Sequence, residues 1–319
     1  MTASNVGEPR GGGRPRTRRR PRRRFPRGRR DLTVDLGLVL TAVIWGMNFP
    51  VVKAVLREVE PLAFNALRFP CAALAIWVLL RAQGRRLVPA RGDWRTVIAL
   101  GTAGHVVYQV CFVFGLDLTL TGNAALLLST VPVWVLFIAV AAGWERFNPS
   151  ILAGALATLA GMAILVTGGA HQTGGARIGD LLVLGAALSW SVYTVFGRRM
   201  TKRRGVLEMT AWTLWAGLPV VVAMGIPDLL RTDWAAISAG AWLGIAYAGV
   251  FAIAVAYPLW YRGVRAIGQS RTSVYQNLVP LVALAGAWLW LAEIPTRQQL
   301  FGAAVILAGV LVARRSPRR

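Results

Sequence analysis

Residues 97–116 and 121–143 each run for about twenty residues without Asp, Glu, Lys or Arg. Helices of that length and apolarity span roughly 30 Å of hydrocarbon. Similar runs recur along the chain and give ten apolar segments, at 34–56, 61–80, 96–116, 121–143, 149–167, 179–198, 207–226, 237–260, 270–291 and 297–313. Composition agrees. The chain is 55% hydrophobic and only 15% charged, against roughly 25% charged in an average soluble protein, and its mean hydropathy is +0.53. The expected fold class is an all-α polytopic membrane protein.

The net charge of +23 is concentrated. Residues 1–30 contain twelve Arg and one acid, Glu8. A Gly/Pro-rich tail with so few apolar residues cannot bury enough surface to fold, so residues 1–31 are expected to be disordered. The tail serves as a cytoplasmic anchor near anionic lipid, or reflects an over-extended start, since no second Met precedes Met47. A nucleic-acid-binding arm is disfavoured, because only Phe25 interrupts the basic run. No small-residue cleavage site follows the first apolar segment, which argues against a signal peptide.

Lys and Arg are retained on the cytoplasmic side of bilayers. With the N-terminus inside, inside segments collect 30 of the 36 basic residues. Outside loops hold only Arg57, Arg177, Arg231 and Arg297. Both termini, including the short basic segment 314–319, are therefore expected in the cytoplasm.

The chain also repeats itself. Shifted by 145 residues, DLGLVLTAVIW at 35–45 falls on DLLVLGAALSW at 180–190, so Asp35 meets Asp180 and Trp45 meets Trp190. Further on the shift becomes 148. Pro132 then falls on Pro280, Glu145 on Glu293, and Gly115, Gly154 and Gly161 on Gly263, Gly302 and Gly309. Five spans per copy is odd, so the second copy starts from the opposite face. The expectation is ten transmembrane helices in two inverted five-helix repeats, 32–167 and 178–313. Substrate sites in such proteins lie near the midplane between the halves. With no soluble domain of any size, an enzyme is not expected. Cys71 and Cys111 lie inside apolar runs and His105 and His171 are far apart, so neither a metal site nor a cofactor is expected.

WGMNF at 45–49, PLAFNALRF at 61–69 and LWLAEIPTRQQLFGAAVILAGV at 288–310 together resemble the EamA type of the drug/metabolite transporter superfamily. The resemblance covers about 32–313. It implies a ten-helix carrier of small metabolites in a bacterial inner membrane. WSVYT at 190–194 departs from WGMNF and sets Tyr193 opposite Asn48.

The acids lie in the tail, in loops or near segment ends, Asp117, Glu145 and Glu293 among them. A lipophilic cation would find no midplane counter-charge. Arg68, about seven residues into its segment, is a functional hypothesis because an intramembrane charge costs roughly 2.5–3.5 kcal/mol. It either faces a cavity and attracts a carboxylate, or, like Lys53, snorkels or pairs with Glu58 and Glu60. His105 either relays a proton as a coupling group or is satisfied by neighbours. Tyr108 and Gln109 share its helical face. Pro132 and Pro280 should break their helices and free backbone groups that side chains or substrate must meet. Their polar neighbours Asn123, Tyr275 and Gln276 are thus site candidates, and Trp45, Asn48, Trp190, Tyr193 and Tyr257 complete the expected lining. The function expected is secondary transport, as an exporter of amino acids or related small molecules by alternating access. A multidrug exporter, and a membrane receptor or scaffold using the basic tail, are the alternatives.

Overall fold

The computed structural model describes residues 27–119, 127–147 and 176–291 throughout, and further single positions at Thr2 and within 124–160 and 297–309. Asn123 lies outside the described residues. Every regular element among those residues is a helix. Six helices are long and apolar enough to cross a membrane. These are α1 (Arg27–Val55), α2 (Pro61–Ala82), α3 (Arg91–Leu118), α5 (Ala176–Arg203), α6 (Val206–Arg231) and α7 (Ala239–Ile267). The fourth apolar segment contributes a shorter helix, α4 (Val131–Ala141). The ninth forms α8 (Gln269–Val274), a 3-10 turn at Tyr275–Leu278, and α9 (Val279–Leu291).

Local chemistry sets the boundaries. Pro61 opens α2, where a missing N–H costs nothing. Ser238 caps α7 by accepting from the Ala241 N–H at 3.1 Å. Gly268, at φ +92°, ends α7 in a conformation that side chains resist.

α3 and α7 are each interrupted by six residues of π-helix, Thr102–Val107 and Val250–Val255. The two segments lie 148 residues apart, the offset of the sequence repeat. A widened turn leaves carbonyls poorly paired, and lipid offers no substitute donor. Side chains from facing helices supply one. Ser189 Oγ donates to the Ala103 carbonyl at 2.8 Å, and Trp45 Nε1 donates to the Ala252 carbonyl at 2.9 Å.

Helix contacts recur at the same offsets. α2 packs on α6, α1 on α7 and α9, and α5 on α3 and α4. Gly115 of α3 lies against Val183 of α5, while Gly263 of α7 lies against Leu38 of α1. Gly101 of α3 meets the Thr213 carbonyl of α6, and Gly249 of α7 meets the Arg68 carbonyl of α2. Without Cβ atoms these glycines let backbones approach closely, the usual means of packing helices in lipid. The indoles of Trp45 and Trp190 touch edge to face at 5.4 Å.

The proline segments behave differently from simple kinks. Pro132 sits in the first turn of α4, after Ser129 and Thr130 in a turn. Pro280 follows the 3-10 turn. In both places the irregular residues immediately precede the proline.

Candidate functional site

α1, α2, α3, α7 and the 3-10 turn before α9 converge on a small cavity of ≈ 40 Å³. That is room for about three waters. Trp45 and Asn48 reach it from α1, Tyr108 and Gln109 from α3, and Tyr257 from α7. Arg68, Gln276 and Pro280 complete the sequence candidates in its wall.

Arg68 is the dominant group. It is 1% exposed. Its Nε and Nη2 donate to Asn65 Oδ1 at 2.9 and 2.7 Å, and Nη2 also donates to Gln109 Oε1 at 2.6 Å. Gln109 Nε2 passes the network on to the Tyr257 hydroxyl at 2.9 Å. The Phe64 ring lies under the guanidinium, 4.5 Å from Cζ. Amide dipoles and an aromatic face solvate the cation, but among the described residues no carboxylate reaches it. Arg68 therefore neither snorkels nor pairs with Glu58 or Glu60. Glu58 instead accepts from the backbone and hydroxyl of Ser238.

Elsewhere in the same wall two acceptors stand free. Asn48 Oδ1 and Gln276 Oε1 are buried, with no hydrogen-bond partner among the described residues. Each orphaned acceptor costs on the order of 1–3 kcal/mol unless a ligand or water meets it. One region of the cavity thus offers a cation and another offers acceptors. An aromatic cluster stands beside them, in which Trp190 packs at 4.8 Å from Tyr257 and 5.4 Å from Trp45.

The remaining described candidates lie outside the cavity wall. Tyr193 turns to His105, whose Nε2 lies 3.2 Å from both the Tyr193 hydroxyl and Thr213 Oγ1. His105 Nδ1 is buried with no partner among the described residues, and its ring stacks on Tyr257 at 5.5 Å. Tyr275 donates to Asp35 Oδ1 at 2.5 Å, which directs it to the first turns of α1. Lys53 pairs with no carboxylate among the described residues; its Nζ donates to the carbonyls of Leu116 and Asp117 at 2.8 and 3.1 Å. A cation at the end of α3 meets carbonyls that the helix leaves unpaired.

Sequence reasoning passed over Asn65, Phe49 and Phe112. Asn65 was findable, because it stands three residues before Arg68 on the same helical face. The two Phe rings pack edge to face at 5.6 Å across the cavity floor, and nothing local in sequence joins positions 49 and 112.

A model of the EamA-like transporter family matches residues 32–167 and 177–315. A probable terminal-alkyne amino-acid exporter of Streptantibioticus cattleyicolor is 28% identical, over 87% of this chain and 92% of its own. A probable amino-acid metabolite efflux pump of Escherichia coli is 27% identical, over 86% and 92%. A solved crystal structure superposes with a TM-score of 0.73 at 21% identity, covering 90% of this chain and 97% of the other, and shows the same fold.

Proposed function

This chain belongs to the EamA-like transporter family, and from that premise we propose that it exports amino acids and related small zwitterions by alternating access. The observation that carries the reading is Arg68, a buried cation that borders the cavity without a counter-ion among the described residues. A substrate carboxylate would pair with the guanidinium in a charge-assisted, bidentate manner. The substrate ammonium would meet Asn48 Oδ1 and Gln276 Oε1, with the faces of Trp45 and Tyr257 beside it. Two relatives carry amino-acid exporter names, which agrees with this pairing. The cavity as it stands is too small for such a molecule, so binding requires its walls to part.

Ten spans in two inverted repeats are part of the same proposal. A residue touches its own repeat counterpart only near a two-fold axis. Trp45 touches Trp190 at an offset of 145, and Gln109 bonds Tyr257 at an offset of 148. The paired glycine contacts and paired π-helical segments support the same axis. The basic-residue bias supports a bacterial inner-membrane location with cytoplasmic termini. No carboxylate lines the cavity among the described residues, which disfavours a lipophilic-cation exporter.

Purified protein in liposomes should move labelled neutral amino acids. It should discriminate against their methyl esters and N-acetyl derivatives by roughly tenfold or more, because each derivative removes one pole. Asn48→Leu should bring the N-acetyl and free amino acids closer together. Flux of lipophilic cations above that of amino acids would overturn the assignment.

His105 is the group we assign to proton coupling. It lies one ring contact from the cavity and keeps one nitrogen free. His105→Asn should retain counterflow exchange while abolishing accumulation driven by a pH gradient. Equal loss of both would make His105 a packing residue only.

A further inference from the structure

At the bundle end assigned to the cytoplasm, two clefts of ≈ 370 and ≈ 260 Å³ lie side by side and share Arg203 and Arg204. The larger adds Arg85 and Arg86, and the smaller adds Arg199. Five guanidinium groups therefore face two carboxylates, Glu208 and Asp93. Both carboxylates are already engaged. Asp93 pairs with Arg204 at 2.6 Å and Arg203 at 3.8 Å, and Glu208 pairs with Arg85 at 3.3 Å. Arg86 and Arg199 are exposed and make no ion pair among the described residues.

The smaller cleft is not only basic. Trp144 and Phe196 form its wall, in contact edge to face at 5.0 Å. The Arg199 guanidinium sits 4.2 Å above the Trp144 ring. Phe196 is 41% exposed at the end of a membrane-spanning helix. Guanidinium groups grip phosphate with two donors each and rest on aromatic faces. A free phosphate would use the charges and leave the aromatic wall bare. An amphipathic ligand uses both.

We propose that these clefts hold an anionic phospholipid, with its phosphate among Arg86, Arg199, Arg203 and Arg204 and its glycerol and first acyl carbons against Trp144 and Phe196. Basic pockets between helices on the cytoplasmic side suit such headgroups. Arg262 and Arg265 are also exposed at this end of the bundle and line neither cleft, so they serve as an internal comparison for a general excess of cytoplasmic Arg. The site also has a place in the architecture. Arg85 precedes α3 and Asp93 lies in its first turn, whereas Arg203 ends α5, Arg204 follows it and Glu208 lies in the first turn of α6, so the ion pairs tie the first matched segment to the second.

The full chain, delipidated in neutral detergent, is titrated by native mass spectrometry with phosphatidylglycerol, chain-matched phosphatidylcholine and inorganic phosphate. Phosphatidylglycerol should bind one equivalent, at least roughly tenfold tighter than the other two. Arg86→Gln with Arg199→Gln should weaken it by roughly tenfold or more, because both residues are exposed and make no ion pair among the described residues. Arg262→Gln with Arg265→Gln should leave it unchanged. Equal binding of the two lipids, or equal weakening by both pairs of substitutions, overturns the site. Inorganic phosphate matching phosphatidylglycerol overturns the lipid assignment. The readout is binding, so it stands or fails separately from transport.

Discussion

Arg68→Gln abolishes amino-acid export while leaving the protein folded. Glutamine retains a side-chain amide that can still donate to Asn65 Oδ1 or Gln109 Oε1, so neither acceptor need be stranded. What disappears is the charge and the fork. Truncating one member of a buried, hydrogen-bonded charge pair costs about 2–5 kcal/mol. The expected loss in flux is therefore on the order of 100-fold, at 1.4 kcal/mol per factor of ten. Arg68→Lys restores charge without the planar fork and should fall between, at roughly tenfold below wild type. The decisive control is the substrate. An amino-acid methyl ester has no carboxylate to lose, so wild type and Arg68→Gln should move it equally. Flux of the free amino acid by Arg68→Gln within about threefold of wild type would sink the carboxylate role.

The sequence discloses the membrane character and the repeat through features that need no tertiary context. Apolar runs of fixed length and coincident Pro, Glu and Gly residues survive any rearrangement of neighbours. Arg68 and Gln109 were also legible, because a charged or amide group within an apolar run must find a partner, whereas Tyr257 was a candidate only as an aromatic wall. Direction was harder. His105, Tyr108 and Gln109 form one polar stripe at 3.6 residues per turn. The π-helical segment at Thr102–Val107 breaks that phase. Tyr108 and Gln109 then face the cavity, while His105 turns to Tyr193 and Thr213. A π-turn has no residue signature, so the stripe's division is invisible before the fold is known. The partners of Lys53 and Tyr275 were hidden for a related reason. These partners, the end of α3 and Asp35, are distant in sequence and carry no pattern pointing back.

The sequence repeat is asymmetric at the proposed substrate site. Arg68 in α2 corresponds to Thr213 in α6 at an offset of 145, and Gln109 in α3 to Tyr257 in α7 at 148. In one copy the arginine holds Gln109. Thr213 instead reaches across to His105 of the first copy. The charge thus stands in one copy of the sequence repeat only. A carrier of symmetric design would bind a symmetric ligand. A cation on one side and bare acceptors elsewhere suit a molecule with two unlike ends.

The pair Gly101→Ala and Gly249→Ala separates these two levels. A Cβ on Gly101 would lie 2.6 Å from the Thr213 carbonyl oxygen, and one on Gly249 would press on the Arg68 carbonyl still more closely. Neither obstacle is a flexible side-chain end. Helices α3 and α6, or α7 and α2, must move apart, and overpacking of that kind costs about 1–3 kcal/mol. Each substitution should therefore lower the thermal midpoint in detergent, by similar amounts, because the steric injury occurs twice in one geometry. The two sites do not share a contact, so the double variant should show close to the summed loss. Gly92→Ala, where nothing lies within 4 Å of the added atom, should be silent. Transport should not follow the same symmetry. Gly249→Ala displaces the backbone of Arg68 itself, and a guanidinium misplaced by about 1 Å loses its bidentate fit. Gly101→Ala displaces only Thr213. At matched loss of stability, Gly249→Ala should reduce amino-acid flux roughly tenfold further than Gly101→Ala. Equal flux in the two variants would place the substrate carboxylate away from Arg68, and unchanged thermal midpoints would remove the paired close approaches.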